Sequence, residues 1–110
     1  MNKREKTIEK IFNTLITQGK VTSKPNTLGE DPMEDKVYTR RLHVNKTLGE
    51  GANAIELVYI TITSDDVDFS DVIPTDMRLN TKNTRGEWCN LFIDEATNKM
   101  LDLVENSVCQ

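Results

Sequence analysis

Residues 54–63 (Ala-Ile-Glu-Leu-Val-Tyr-Ile-Thr-Ile-Thr) restrict the fold more than any other stretch of the chain. β-Branched and aromatic residues dominate the run, which predicts a strand. Two-residue alternation sends Ala54, Val58, Ile60 and Ile62 one way and Ile55, Leu57 and Tyr59 the other. A strand with one wet face alternates apolar with polar, whereas this one is largely apolar on both sides. Either both faces are covered within the chain or one is kept for a partner. Ile55, Leu57 and Tyr59 form the side that the simplest fold leaves uncovered, so they are the expected partner-binding residues.

The cover for the other side lies at the N-terminus. Ile8, Ile11, Phe12, Leu15 and Ile16 recur at helical spacing, with Lys6, Glu9, Lys10 and Asn13 outside the stripe. Asn2 is a suitable N-cap, Glu5 follows three residues later, and Gly19 marks the far end. These features predict a helix over Lys3–Gln18, too short to persist alone in water, so its stripe must dock on the sheet.

Residues 36–46 predict a second strand, with Tyr38, Leu42 and Val44 on one side. The loop that follows contains Gly49 and Gly51 and joins it to 54–63 as an antiparallel hairpin. Residues 20–35 read as an acidic loop broken by Pro25, Gly29 and Pro32 and carrying Glu30, Asp31, Glu34 and Asp35, with a short extended piece at 20–23. Residues 64–76 read as a second acidic connection, pinned by Phe69, Val72, Ile73 and Pro74, and 77–81 as a third strand.

Two readings compete for the last third. One is a strand at 87–93 followed by a helix from Asp94. The other is a single helix over about 85–106, opened by Thr84 and Glu87 in capping-box spacing and carried by Trp88, Leu91, Phe92, Ala96, Met100, Leu103 and Val104. The unbroken period favours the long helix, and 95–105 is helical in both. The fold class is therefore α+β: a small antiparallel sheet of 2–4 strands flanked by an N-terminal and a C-terminal helix, in a single domain over 1–110.

Net charge is −4 and the pI is about 5.0, so nucleic acid is not expected as the main partner, and 5% aromatic content argues against a base-stacking platform. No secretory leader or apolar run of membrane-spanning length is present, which points to a cytoplasmic protein with no membrane partner. Cys89 and Cys109 have no metal-site spacing, and His43 is the sole histidine, so neither a metal nor a cofactor is expected. Cys89 lies among Trp88, Leu91 and Phe92 and reads as a buried, inert thiol; Trp88 itself reads as core. Asp66, Asp68 and Ser70 match the first positions of a calcium loop, but Asp71 and Met77 occupy the places that require glycine and glutamate. No nucleophile elbow, phosphate loop or dinucleotide fingerprint occurs, and no catalytic residue is assigned.

Arg40 and Arg41, with Arg78 and Arg85, are the candidate anion-binding residues; the bland alternative is an edge strand guarded by charge. Element order resembles that of small α+β modules such as double-stranded-RNA-binding domains, but the basic start of their last helix is missing, since Glu95, Ala96, Thr97 and Asn98 stand there. In bulk the chain resembles immunity proteins and phage-encoded antagonists. Its expected role is a small non-catalytic regulatory or inhibitory protein that masks a protein partner's surface, with self-association into a homodimer as one form of docking. The alternatives are an oligomeric binder of an anionic small molecule or nucleotide, and a small enzyme.

Overall fold

The computed structural model describes residues 1–25 and 36–109. Helix α1 (Lys3–Gln18) is followed by strands β1 (Lys20–Pro25), β2 (Lys36–Leu48), β3 (Ile55–Ser64), β4 (Arg78–Lys82) and β5 (Leu91–Phe92), and then by helix α2 (Asn98–Val108). The five strands form an antiparallel sheet in the order β1-β2-β3-β4-β5. The fold is α+β, with one strand more than the upper limit expected from sequence. The acidic residues Glu30, Asp31, Glu34 and Asp35 lie outside the described residues.

Helix α1 has the expected bounds. Asn2 accepts a hydrogen bond from the Glu5 backbone N–H at 2.8 Å, and Ile8, Ile11 and Leu15 are buried. Gly19 closes the helix at an ordinary φ of −71°, so conformational freedom is not why glycine stands there. A Cβ at this position would lie 2.6 Å from the Leu15 carbonyl oxygen and 2.8 Å from Arg40 Cγ, so the site needs a residue without one. Arg40 fills that space: its guanidinium donates to the Ile16 carbonyl and lies 4.9 Å over the Phe69 ring. A cation at the C-terminal end of a helix also complements the helix dipole.

Both helices pack on one side of the sheet and on each other. Arg4 ties their N-terminal ends together by donating to Asn98 Oδ1 at 2.8 Å and to the Asp94 carbonyl at 2.7 Å. The buried core comprises Ile8, Ile11 and Leu15 of α1, Leu48 of β2, Leu57, Ile60 and Ile62 of β3, Leu79 of β4, Leu101 and Val104 of α2, and Phe69, Met77, Ile93 and Ala96 from the connections. Tyr38, Leu42 and Val44 pack against it from β2, as their alternation predicts.

Strand β3 departs from simple alternation. Leu57 pairs with Thr81 of β4 and Tyr59 with Asn80, leaving Val58 as an extra residue in β3. On the other side, β2 accommodates the shift between His43 and Lys46, where Asn45 adopts φ 53°. Asparagine tolerates that left-handed geometry better than most residues. The bulge places Leu57 and Ile60, three residues apart, in the same core, and turns Tyr59 to the opposite face.

The long-helix expectation for residues 85–106 is corrected. Asn83, Arg85, Gly86 and Glu87 build a turn instead. Asn83 Oδ1 accepts from the backbone N–H groups of Arg85 (2.9 Å) and Glu87 (3.0 Å), and Gly86 sits at φ 79°. That left-handed glycine and the Asn83 side chain offer the backbone a better local solution than a helical turn. Trp88 then bridges to Lys82, and β5 pairs with β4. Helix α2 starts only at Asn98, with Thr97 as its N-cap accepting from Met100 N–H. Trp88 and Cys89 are consequently exposed rather than buried.

Leu57 is fully buried, so Leu57→Ala is expected to destabilise the protein by about 2–5 kcal/mol. Tyr59→Leu, on the other face, is expected to cost about 1 kcal/mol or less. Urea denaturation of both variants checks the assignment of the two residues to opposite faces.

Candidate functional site

No helix covers the second face of the sheet among the described residues: both pack on the first. Register defines which side chains share this open face, because directly paired residues point the same way. One row crosses all five strands: Lys20 pairs with Arg41, Arg41 with Thr61, Thr61 with Arg78, and Arg78 with Phe92. The neighbouring row contains His43, Tyr59 and Asn80. The next contains Glu56, Lys82 and Trp88. On the opposite flank lie Thr22, Thr39 and Thr63, followed by Lys24 and Val37.

These rows combine cations with rings. The Arg41 guanidinium sits 4.2 Å from the Tyr59 ring centroid, Lys82 Nζ 4.7 Å from that of Trp88, and the Arg78 guanidinium 4.9 Å from that of Phe92. The rings also approach one another. His43 meets Tyr59 edge-on with centroids 5.5 Å apart, and Tyr59 and Trp88 are tilted at 5.7 Å. Each cation–ring contact contributes about 0.5–1 kcal/mol at an exposed site. The contacts therefore hold the long side chains in place while their outer surfaces stay wet: Trp88 is 48% exposed and Phe92 40%. Between the charged groups, Thr61 Oγ1 donates to Asn80 Oδ1 at 2.9 Å, and both residues are buried.

The predicted partner-binding trio does not form one surface. Leu57 is fully buried under the helices, and Ile55 packs on the same side at the edge of the core. Tyr59 alone reaches the open face. The predicted anion-binding set also divides. Arg41 and Arg78 are brought together on either side of Thr61. Arg40 points to the helix side, and Arg85 lies in the 83–87 turn, 3.6 Å from Glu87. Strand β2 is internal to the sheet, so its arginines do not guard an edge; the edge strand β1 carries Lys20 and Lys24. Sequence reasoning missed Lys20, His43, Asn80, Trp88 and Phe92 as members of this surface, while Lys82 stands in the basic group that the sequence places with Arg78 and Arg85. Alternation within β4 alone would have grouped Arg78, Asn80 and Lys82, but Trp88 and Phe92 required the turn at 83–87 to be recognised.

The acidic connection between β3 and β4 uses its oxygens locally. Ser64 Oγ donates to Asp71 at 2.7 Å and accepts from Asp66 N–H. The Asp66 carboxylate accepts from Ser70 Oγ and from Asp68 N–H, which holds its pKa below the usual carboxylate range. Among the described residues no group of three or more His, Cys, Asp or Glu side chains is arranged to hold a metal ion, and no helix is long and apolar enough to cross a membrane.

No family model matches the chain, and neither a curated protein nor a solved structure matches it.

The open face should be electropositive although the chain is net acidic, and Trp88, the single tryptophan, reports on it directly. Iodide is expected to quench Trp88 fluorescence roughly twofold more effectively than caesium at low salt, with the difference vanishing as ionic strength rises. Stronger quenching by caesium would refute the local positive potential.

Proposed function

We propose that this is a small non-catalytic binding protein that acts by covering an anionic macromolecule with the open face of its sheet, in a regulatory or inhibitory role. One observation carries the reading: Lys20, Arg41 and Arg78 share one row across the strands, while the rings of Tyr59, Trp88 and Phe92 lie against cations on that same face. Five strands span roughly 19 Å at the usual inter-strand spacing, which suits a polymer or a protein surface better than an isolated small anion. The reading retains the masking role expected from the sequence and moves its surface from Ile55 and Leu57 to Arg41, Tyr59, Arg78, Lys82 and Trp88. A cytoplasmic setting belongs to the same proposal.

Charge also selects among occupants. A second copy docked face to face would set Lys20, Arg41, Arg78 and Lys82 against themselves, and like-charge juxtaposition opposes that symmetric pairing. A negatively charged partner gains from the same groups through steering and counter-ion release.

Retention on immobilised heparin tests the reading. The wild-type protein is expected to bind at low salt despite its net charge, and Arg41→Glu/Arg78→Glu to pass unretained with an unchanged circular dichroism spectrum. Lys6→Glu/Lys99→Glu makes the same change in net charge at exposed helical positions and is expected to remain bound. Equal loss in both double variants would show that net charge, not this face, governs retention.

A further inference from the structure

We infer that the macromolecule taken by the open face is a single-stranded nucleic acid, lying across the strands with its phosphates on the Lys20–Arg41–Arg78 row and its bases on the adjoining rings. This rests on the docking-face reading above and specifies its partner.

The pairing of cations with rings across one face carries the inference. Rings and arginines also serve protein–protein interfaces, but a polynucleotide uses both chemistries at every nucleotide. A polynucleotide strand presents phosphates along one side and flat bases along the other, and this face sets a cation beside each of three rings: Arg41 by Tyr59, Arg78 by Phe92 and Lys82 by Trp88. Arg41 and Arg78 flank Thr61 in the first row. His43, Tyr59 and Trp88 then follow one another at ring separations of 5.5 and 5.7 Å. Bases stack on aromatic rings and on the outer faces of ring-stacked arginines, and Arg41 over Tyr59 supplies such a layer. The exposed part of Trp88 offers a second platform, and Phe92 under Arg78 a third at the other end of β4. A duplex hides its base faces inside the stack, so the rings would be wasted on it. The extent of the face fits about four nucleotides, near the lower end for a site built on one sheet.

The net charge of −4 opposes this partner at long range, so binding rests on the local set of Lys20, Arg41, Arg78 and Lys82. Low aromatic content is not decisive. Of six aromatic residues, Tyr59, Trp88 and Phe92 are gathered on the open face.

The test is fluorescence anisotropy with labelled oligo(dT) and oligo(U) of about ten nucleotides, a blunt duplex of the same length, and poly-glutamate as competitor. Single strands are expected to bind more tightly than the duplex and to change Trp88 emission on binding. Trp88→Ala and Tyr59→Leu are each expected to weaken binding about tenfold. Arg41→Gln is expected to reduce the salt dependence by about one phosphate contact. A preference for either oligomer would show that the sugar 2′-hydroxyl or the thymine methyl is read, and both outcomes support the inference. If poly-glutamate or the duplex binds as well as the single strands and Trp88→Ala has no effect, the inference is overturned while the docking-face reading stands. If no polyanion binds, both fall.

Discussion

The bulge at Val58 is the constraint on which the two faces of this protein depend. Without it, residues 55, 57 and 59 would share one side of β3, and the core would lose either Leu57 or Ile60. With it, both leucine and isoleucine enter the core at full burial, and Tyr59 rotates to the opposite face between His43 and Asn80. Asn45, in a left-handed conformation in the facing part of β2, absorbs the change in register. A single inserted residue thus yields a strand that is apolar toward the helices and aromatic toward the open side, from a sequence apolar along nearly its whole length.

The same division extends to charge. Arg40 and Arg41 are adjacent in sequence but do different work. Arg40 is drawn into the end of α1, where it meets the Ile16 carbonyl and the Phe69 ring. Arg41 stands on the open face over Tyr59. The acids of the β3–β4 connection hold their own loop: the lowered pKa of Asp66 reflects its hydrogen bonds from Ser70 and Asp68. That carboxylate's contribution is fully present above the ordinary aspartate range and is lost as pH falls through its depressed folded-state value. These hydrogen bonds hold the connection together while its carboxylates keep their charge.

Periodic elements were legible in the sequence. The stripe in α1, its Asn2 cap and the pairing of 36–46 with 54–63 follow from local spacing, and the structure reproduces them. What failed was parity and punctuation. A bulge leaves no mark in a run such as Leu-Val-Tyr-Ile, so the faces of β3 were assigned by an alternation that stops at Val58. In the last third, a helical period from Trp88 to Val104 concealed a turn whose signals were Asn83 and Gly86. Whole-chain charge and composition, by contrast, carry no information on which residues share a face. They average over residues that strand register sets on different faces.

The central claim is that the open face, and not the helical side, meets the partner. Amide and side-chain chemical shifts recorded during titration with single-stranded oligonucleotide test it most directly. The account predicts shifts confined to Lys20, Arg41, His43, Tyr59, Arg78, Asn80, Lys82, Trp88 and Phe92, with α1 and α2 unmoved. Shifts clustered on the helices, or none at any residue of the sheet, would contradict it.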